Sequence, residues 1–159
     1  MLFNQIASQP ITIKSTTGLQ VLANQSLLLV GGDVNLEGGK LSVSGGRIEL
    51  GGLAGIGTIG LNIDGSNLLL SYPDDVTQAD ISLINKATVN VDSQQSSSEI
   101  KVQGKRLVIK EGSQISAGTF NQESGGNLTV KTSDEVELSG TVILDSEQVP
   151  SGLLTQTEA

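Results

Sequence analysis

The chain has 159 residues and a formal net charge of −8, with no cysteine and no histidine. The acidic balance argues against nucleic acid and anionic membrane surfaces as partners, because both repel a negatively charged protein. The missing residue types exclude disulfide bonds, zinc sites with nitrogen or sulfur ligands, and catalytic dyads built on histidine or cysteine.

The N-terminal segment, residues 1–18, lacks the basic region and apolar stretch of a signal peptide. It contains a few scattered apolar residues and Pro10, which interrupts any strand formed there. We expect this segment to form a partial cap on the fold that follows. No apolar run in the chain is long enough to span a membrane.

Residues 19–149 are dominated by a period of two, in which a polar residue stands between two apolar ones. The pattern occurs in Val34–Leu36, Leu41–Val43, Ile48–Leu50, Ile81–Leu83, Val89–Val91, Ile100–Val102, Leu128–Val130 and Val136–Leu138. Such alternation predicts short strands with one buried face, and most of these triplets are soon followed by a turn-forming residue. Because no window has helical periodicity, the predicted fold class is all-β.

Two repeats are superimposed on this alternation. Glycine pairs fall six or seven residues apart between residues 31 and 52, as expected for corners between short strands. A longer period of 28 or 29 residues aligns Ile100 with Leu128, Val102 with Val130, Leu107 with Val136 and Ile109 with Leu138, and a shorter one of 26 residues aligns Ile81 with Leu107. Periods of this length indicate a stacked array of repeats.

The unit of three short strands and three turns predicts a right-handed, single-stranded parallel β-helix, a solenoid of about six rungs. The residues predicted to point inward are Leu36, Val43, Ile48, Leu50, Val102, Leu107, Ile109, Leu128, Val130, Val136 and Leu138. Loops are expected to leave the solenoid near residues 62–80 and 92–99, where the rhythm is interrupted. Residues 150–159 are interpreted as a C-terminal linker or tail.

Gly55, Gly57 and Gly60 have the spacing of the dinucleotide-binding fingerprint. That motif requires a helix directly after the glycines, but the residues that follow alternate like a strand. We therefore interpret the three glycines as a tight corner and predict no nucleotide site. If Gly57 needs a positive φ, its replacement by alanine should destabilise the fold by about 1 kcal/mol.

Charged residues offer two further candidates. Asp64, Asp74, Asp75 and Asp80 could make a weak calcium contact, against the simpler interpretation as solvated loop acids. Arg47 and Arg106 each precede an apolar triplet, which suggests equivalent outward positions and solvated charges. No catalytic, cofactor-binding or metal-binding residue is predicted, and no cofactor.

Residues 26–52, SLLLVGGDVNLEGGKLSVSGGRIELGG, resemble the end of the haemagglutination-activity domain of bacterial filamentous haemagglutinin-like exoproteins. Residues 115–141 resemble the repeat that follows that domain, and VPSGLLTQTEA resembles the linker into another repeat. The resemblance implies a parallel β-helix, export of the parent protein by an outer-membrane transporter of the two-partner secretion type, and a place outside the cell or on its surface. The front of the secretion domain is missing from the resemblance, which suggests a piece of a longer exoprotein or a truncated reading frame.

The expected function is therefore that of a structural and adhesive segment without catalysis. Its partners would be surface glycans or other cells, met through outer faces rich in Ser, Thr, Asn and Gln, and end-to-end self-association is also expected. Two alternatives remain open: a carbohydrate-active β-helix enzyme or polysaccharide-binding module, and a truncated remnant without function.

Overall fold

The computed structural model describes residues 2–5, 9–65, 67–93, 98–120 and 126–158. Seventeen strands lie within these ranges. They are β1 (Leu2–Gln5), β2 (Ile11–Ile13), β3 (Leu19–Gln20), β4 (Ser26–Gly31), β5 (Val34–Glu37), β6 (Lys40–Ser42), β7 (Gly46–Gly52), β8 (Gly57–Asp64), β9 (Asn67–Ser71), β10 (Ile81–Ile84), β11 (Thr88–Asn90), β12 (Ser98–Lys110), β13 (Gln114–Phe120), β14 (Asn127–Ser139), β15 (Thr141–Leu144), β16 (Glu147–Pro150) and β17 (Gly152–Glu158). The described part of the chain has no helix, and therefore none that could cross a membrane. The prediction of an all-β protein is confirmed.

Two parallel sheets form the body of the molecule. The long sheet has seven strands in the order β2-β5-β10-β12-β7-β4, with β14 paired to β12. The short sheet has five strands in the order β17-β13-β11-β6-β3. Every pairing within both sheets is parallel.

The parallel registers are those that the sequence repeats predict. Ile100 lies opposite Leu128, Val102 opposite Val130, Leu107 opposite Val136 and Ile109 opposite Leu138. Ile81 lies opposite Leu107, as the 26-residue offset indicates. The repeat therefore specifies which strands become neighbours as well as which residues face the core.

Five successive segments of the chain, residues 11–31, 34–52, 81–103, 107–130 and 136–158, each contribute strands to both parallel sheets. We call these segments layers 1 to 5, because each is hydrogen-bonded to the one before it in chain order. β12 and β14 are long because each runs without a break from one layer into the next. Side chains from all five layers contribute to one aliphatic core.

Burial agrees with the predicted inward set except at its end. Seven of the predicted residues are buried: Leu36, Val43, Ile48, Leu50, Val102, Leu107 and Ile109. Leu128 and Val130 are partly buried against the core. Val136 and Leu138 lie in register with the buried Leu107 and Ile109 but are themselves 44% and 46% exposed. Both belong to layer 5, which among the described residues is covered on one side only, so correct orientation does not bury them.

The parallel sheets reach beyond the predicted limits of residues 19–149. At the N-terminal side, β2 pairs with β5, so that part of segment 1–18 belongs to the long sheet. At the C-terminal side, β17 pairs with β13 over seven residues, so that Gly152–Glu158 form a strand of the short sheet and not a linker or tail. The strand β17 is defined by its backbone pairing with β13, although polar and apolar residues do not alternate regularly along it.

The predicted loop at residues 62–80 is partly an antiparallel structure. β1, β8 and β9 form a three-stranded sheet in the order β1-β8-β9, which we call the insert sheet. Gly65, with φ of +61°, lies in the turn between β8 and β9. Apart from the turn at Gly65, residues 72–80 are the only described residues of this range that form an irregular loop. In the second predicted loop, residues 94–97 lie outside the described residues, and Ser98 and Glu99 already belong to β12.

Candidate functional site

The outward side chains of four neighbouring strands of the long sheet align in three rows. The rows are Ser26–Arg47–Glu99–Asn127, Leu28–Glu49–Lys101–Thr129 and Val30–Gly51–Gln103–Lys131, read from β4 through β7 and β12 to β14. In layers 1 and 2 these positions lie beneath the insert sheet. In layers 3 and 4 they face the open space beside it.

The insert sheet is attached through a second apolar cluster. Leu53, Ile59, Leu61 and Leu70 are buried there, and the outward side chains of β4, including Leu28, pack against them. An apolar run on β4, SLLLV, interrupts the alternation of the sequence at this point. A strand without alternation is buried on both faces, so this run is the sequence signal for the cover.

A buried ion cluster lies beside this apolar contact. Arg47 and Glu49 are only 7% and 1% exposed. The Arg47 Nε donates to Glu49 Oε1 at 2.7 Å, and the guanidinium also pairs with Glu99. Glu49 Oε2 accepts the backbone N–H of Leu70 at 2.8 Å, which connects β7 to β9. The prediction of a solvated Arg47 is wrong, because a segment distant in sequence covers it.

Tyr72 leaves the insert sheet directly above Gly51. A side chain at Gly51 would overlap the tyrosine hydroxyl, so glycine provides the space that Tyr72 occupies. Among the described residues the Tyr72 hydroxyl has no hydrogen-bond partner. Burial, and to a smaller extent the charge of Glu49, raises the pKa of Tyr72, so its hydroxyl stays protonated.

Next to Tyr72 the surface opens into a polar groove of about 420 Å³. One wall is the loop that follows β9, which contributes Tyr72, Asp74 and Gln78. The rest of the lining comes from β12, which contributes Lys101 and Gln103, and from the part of β14 that follows layer 4, which contributes Lys131, Thr132 and Ser133. We call this feature the lysine groove, since two lysines contribute its positive charge.

A larger cavity of about 780 Å³ lies between β4 and the insert sheet. Its lining is mainly aliphatic and includes Leu28, Val30, Leu61 and Leu68, with Ser26 among the few polar residues. The Ser26 hydroxyl accepts the backbone N–H of Leu68 at 3.1 Å. The cavity is thus part of the contact between the insert sheet and layer 1.

The glycine fingerprint has no nucleotide-binding geometry. Gly55 precedes β8, and Gly57 and Gly60 lie within that strand, with no helix after them. Gly57 is not among the residues with positive φ, and an added Cβ would lie 3.5 Å from Leu53 and Val76 side-chain atoms, an ordinary contact. The prediction of a tight corner is therefore wrong for Gly57, which lies in an antiparallel strand.

The four aspartates considered for calcium are dispersed. Asp64 ends β8, Asp75 lies in the turn after Pro73, and Asp74 lines the lysine groove. Asp80 accepts from Arg106, whose Nε lies 3.1 Å from Oδ2. No group of three or more acidic side chains able to hold a metal ion occurs in the part of the chain that the structure describes.

Arg106 also differs from its predicted role. Arg106 belongs to the second half of β12 and lies opposite Glu135 of β14. Arg47 belongs to β7 and lies opposite Glu99, in the first half of β12. The two arginines therefore occupy different parts of the long sheet and are not equivalent. Arg106 is half-exposed, and its hydrogen bond and charge lower the pKa of Asp80.

Comparison with known proteins gave no match to any family model, to any curated protein or to any solved structure. A functional proposal for the chain therefore rests on its own sequence and geometry. In that geometry, sequence reasoning identified neither the ion cluster nor the lysine groove. The ion cluster depends on β9 lying against β7, and the groove depends on the loop after β9 lying beside β12 and β14. Both are contacts between distant residues that alternation within one strand does not report.

Proposed function

We propose that the chain is a structural and adhesive segment of a secreted or surface-exposed haemagglutinin-like protein, and that it performs no catalysis. The proposed architecture is a right-handed, single-stranded parallel β-helix in which layers 1 to 5 are successive rungs. Its support is the parallel register that joins every layer to the next around one aliphatic core. Parallel crossovers are right-handed in nearly all proteins, which supports the proposed hand.

The observation that carries the adhesive role is the outer surface of the short sheet. Gln20, Ser42, Asn90 and Ser116 occupy one row in register on β3, β6, β11 and β13. These side chains are uncharged and carry hydrogen-bonding groups, and they repeat at the strand spacing of about 4.8 Å. Asn90 and Ser116 also hydrogen-bond to Asp92. A polar row of this kind presents several weak contacts to a glycan-covered surface, so that its binding strength comes from multiplicity.

The sequence supports a place outside the cell for the parent protein. This support consists of the absence of cysteine, the repeats, and the resemblance of residues 26–52 and 115–141 to haemagglutinin-like exoproteins. We propose export of that parent protein through a two-partner secretion transporter in the outer membrane. Detection of the parent on intact cells, and its loss when the adjacent transporter gene is deleted, would test this part of the proposal.

Adhesion is tested with beads that carry the purified chain at high density. The beads should adhere to erythrocytes or epithelial cells, and the double variant Gln20→Glu with Ser42→Glu should adhere less, since negative charge on the short sheet repels the cell surface. The matched control, Thr12→Glu with Asn127→Glu, adds the same charge to the long sheet and should adhere like the parent. Equal adhesion of both variants, or none by the parent chain, would contradict the proposed role.

Catalysis is tested separately. The chain is incubated with acidic and with neutral polysaccharides, and new reducing ends are measured. The proposal expects none, and their appearance would favour the carbohydrate-active enzyme.

A further inference from the structure

We infer that the lysine groove binds a carboxylate-bearing sugar residue of a polysaccharide. This inference rests on the proposed adhesive function and names a ligand class for one specific place on the molecule. The groove volume of about 420 Å³ lies within the usual range for small-molecule sites and leaves room for a short stretch of saccharide.

The positive charge of the groove comes from two lysines on the neighbouring strands β12 and β14. Lys101 is held in place, because its Nζ donates to the backbone carbonyl of Leu70 at 3.3 Å and lies 3.9 Å from Glu49 Oε1. Lys131 lies beside Gln103 in the register and forms no ion pair with any described residue. An ammonium group without a partner, next to a neutral amide, is suited to a ligand anion.

The remaining lining supplies groups that recognise hydroxyls. Gln78 and Gln103 carry amides, which both donate and accept, while Thr132 and Ser133 add hydroxyl-bearing side chains. Tyr72 adds an aromatic ring to the lining of the groove. The combination of hydroxyl-binding groups, one aromatic ring and lysine fits an acidic sugar better than a bare inorganic anion.

The charge balance favours a carboxylate over a densely sulfated chain. Lys101 and Lys131 face one carboxylate of the groove itself, Asp74, and Lys101 is also close to Glu49. The groove therefore has little excess positive charge, within a protein whose net charge is −8. Such a site can pair with one carboxylate per sugar, but it repels a polyanion with several sulfates per sugar.

The probe is a trisaccharide of hexuronic acid, titrated into the full chain in a calorimeter. Its fully methyl-esterified form has the same ring hydroxyls without the charges and is the matched ligand control. We expect binding of the acid that weakens as salt rises, and at least tenfold weaker binding of the ester, because the charge-assisted contact is lost. A sulfated trisaccharide of similar length should bind more weakly than the carboxylated one.

Two variants locate the site. Lys131→Gln should weaken binding of the acid about tenfold, and Gln103→Glu should weaken it as well by placing a carboxylate beside Lys131. Lys40→Gln removes the same charge from the short sheet and should leave the affinity unchanged. Circular dichroism melting curves establish that all three variants are folded, which is expected because none of the three side chains lies in the aliphatic core.

Any one of four results would overturn the inference. They are equal affinity for the acid and the ester, tighter binding of the sulfated probe, unchanged affinity of Lys131→Gln for the acid, and no binding of the acid at millimolar concentration. Its failure can be distinguished from that of the adhesive function. If beads adhere to cells but Lys131→Gln and the trisaccharide have no effect, only the groove assignment fails. If the trisaccharide binds at the groove but the beads do not adhere, only the adhesive function fails.

Discussion

The carboxylate of Glu49 in β7 accepts the backbone N–H of Leu70 in β9 at 2.8 Å, joining a parallel strand of the body to the insert sheet. The same carboxylate is bound by Arg47, and both side chains are almost fully buried. Buried charges are retained when each one has a partner, and removal of one partner leaves the other uncompensated.

Glu49→Gln should therefore destabilise the protein by about 2–4 kcal/mol, since Arg47 would keep only Glu99 as an anionic partner. The matched control is Glu37→Gln, which breaks the exposed pair with Lys14 and should cost about 0–1 kcal/mol. Urea unfolding of the three proteins measures the difference. If both variants unfold at the same urea concentration, the buried cluster has no special weight in stability.

Two glycines allow a comparison between a position that needs positive φ and a position that does not. Gly46 has a φ of +89°, while Gly57 has no positive φ and has room for a Cβ. Gly46→Ala should cost about 1 kcal/mol or more, and Gly57→Ala should be neutral or slightly stabilising. Thermal melting of both variants checks this, and a larger loss for Gly57→Ala would show that its conformation is misassigned.

Acid stability should depend on the pair between Asp80 and Arg106. The hydrogen bond from Arg106, with its charge, lowers the pKa of Asp80 in the folded protein. A carboxyl group of this kind stabilises the fold above its unfolded pKa of about 4, and the contribution is lost as pH falls through the lower folded value.

The parent chain should thus be more stable than Asp80→Asn at pH 6, and the difference should shrink below about pH 4. Arg106→Gln should show the same dependence, because it removes the other half of the pair. Unfolding curves between pH 2 and pH 6 provide the test. A difference between parent and Asp80→Asn that is constant with pH would exclude the proposed linkage.

The open side of layer 5 should promote association of the chain with itself. β17 and the second half of β14 are each paired on one side only within the described residues, and Val136 and Leu138 are partly exposed beside them. Unpaired parallel edges with apolar neighbours recruit other strands. Light scattering across a concentration series should therefore show an increase in mean mass.

Leu138→Lys should reduce this association by placing a charge at the open edge. Ile63→Lys makes the same kind of change at an exposed residue of the insert sheet and should have no effect. A parent chain that remains monomeric at all concentrations, or an equal effect of both variants, would mean that layer 5 is not the associating surface.

The sequence predicted the neighbours within the body of the fold more completely than it predicted burial. Ile100 and Leu128 could be paired because a stacked array places equivalent residues opposite each other, and a repeat reports equivalence directly. Val136 and Leu138 follow the same repeat but are exposed, since burial also requires a layer on the other side. Alternation predicts which way a side chain points, and only the neighbouring layers determine whether it is covered.

The candidate site was harder to predict for a related reason. Arg47 reads locally as an outward charge, and it does point outward, yet the insert sheet covers it. Lys101 and Lys131 line one groove because β12 pairs with β14 and the loop carrying Tyr72 lies beside them. The apolar run SLLLV on β4 was the one local sign that part of this outer surface is buried.

The stacking of the layers can be measured directly by pulsed electron paramagnetic resonance. One row of residues crosses the long sheet from layer 1 to layer 5, each residue opposite the next. The row is Thr12, Asn35, Ser82, Val108 and Glu137. The chain has no cysteine, so Thr12→Cys with Glu137→Cys accepts one spin label at each end of this row. Four strand spacings of roughly 4.8 Å each separate the two labelled positions. The expected distance distribution therefore has a single peak at ~19 Å, whose width is set by the arms of the labels. A broad distribution centred well beyond 30 Å would contradict the stacked fold and, with it, the β-helix on which the proposed function depends.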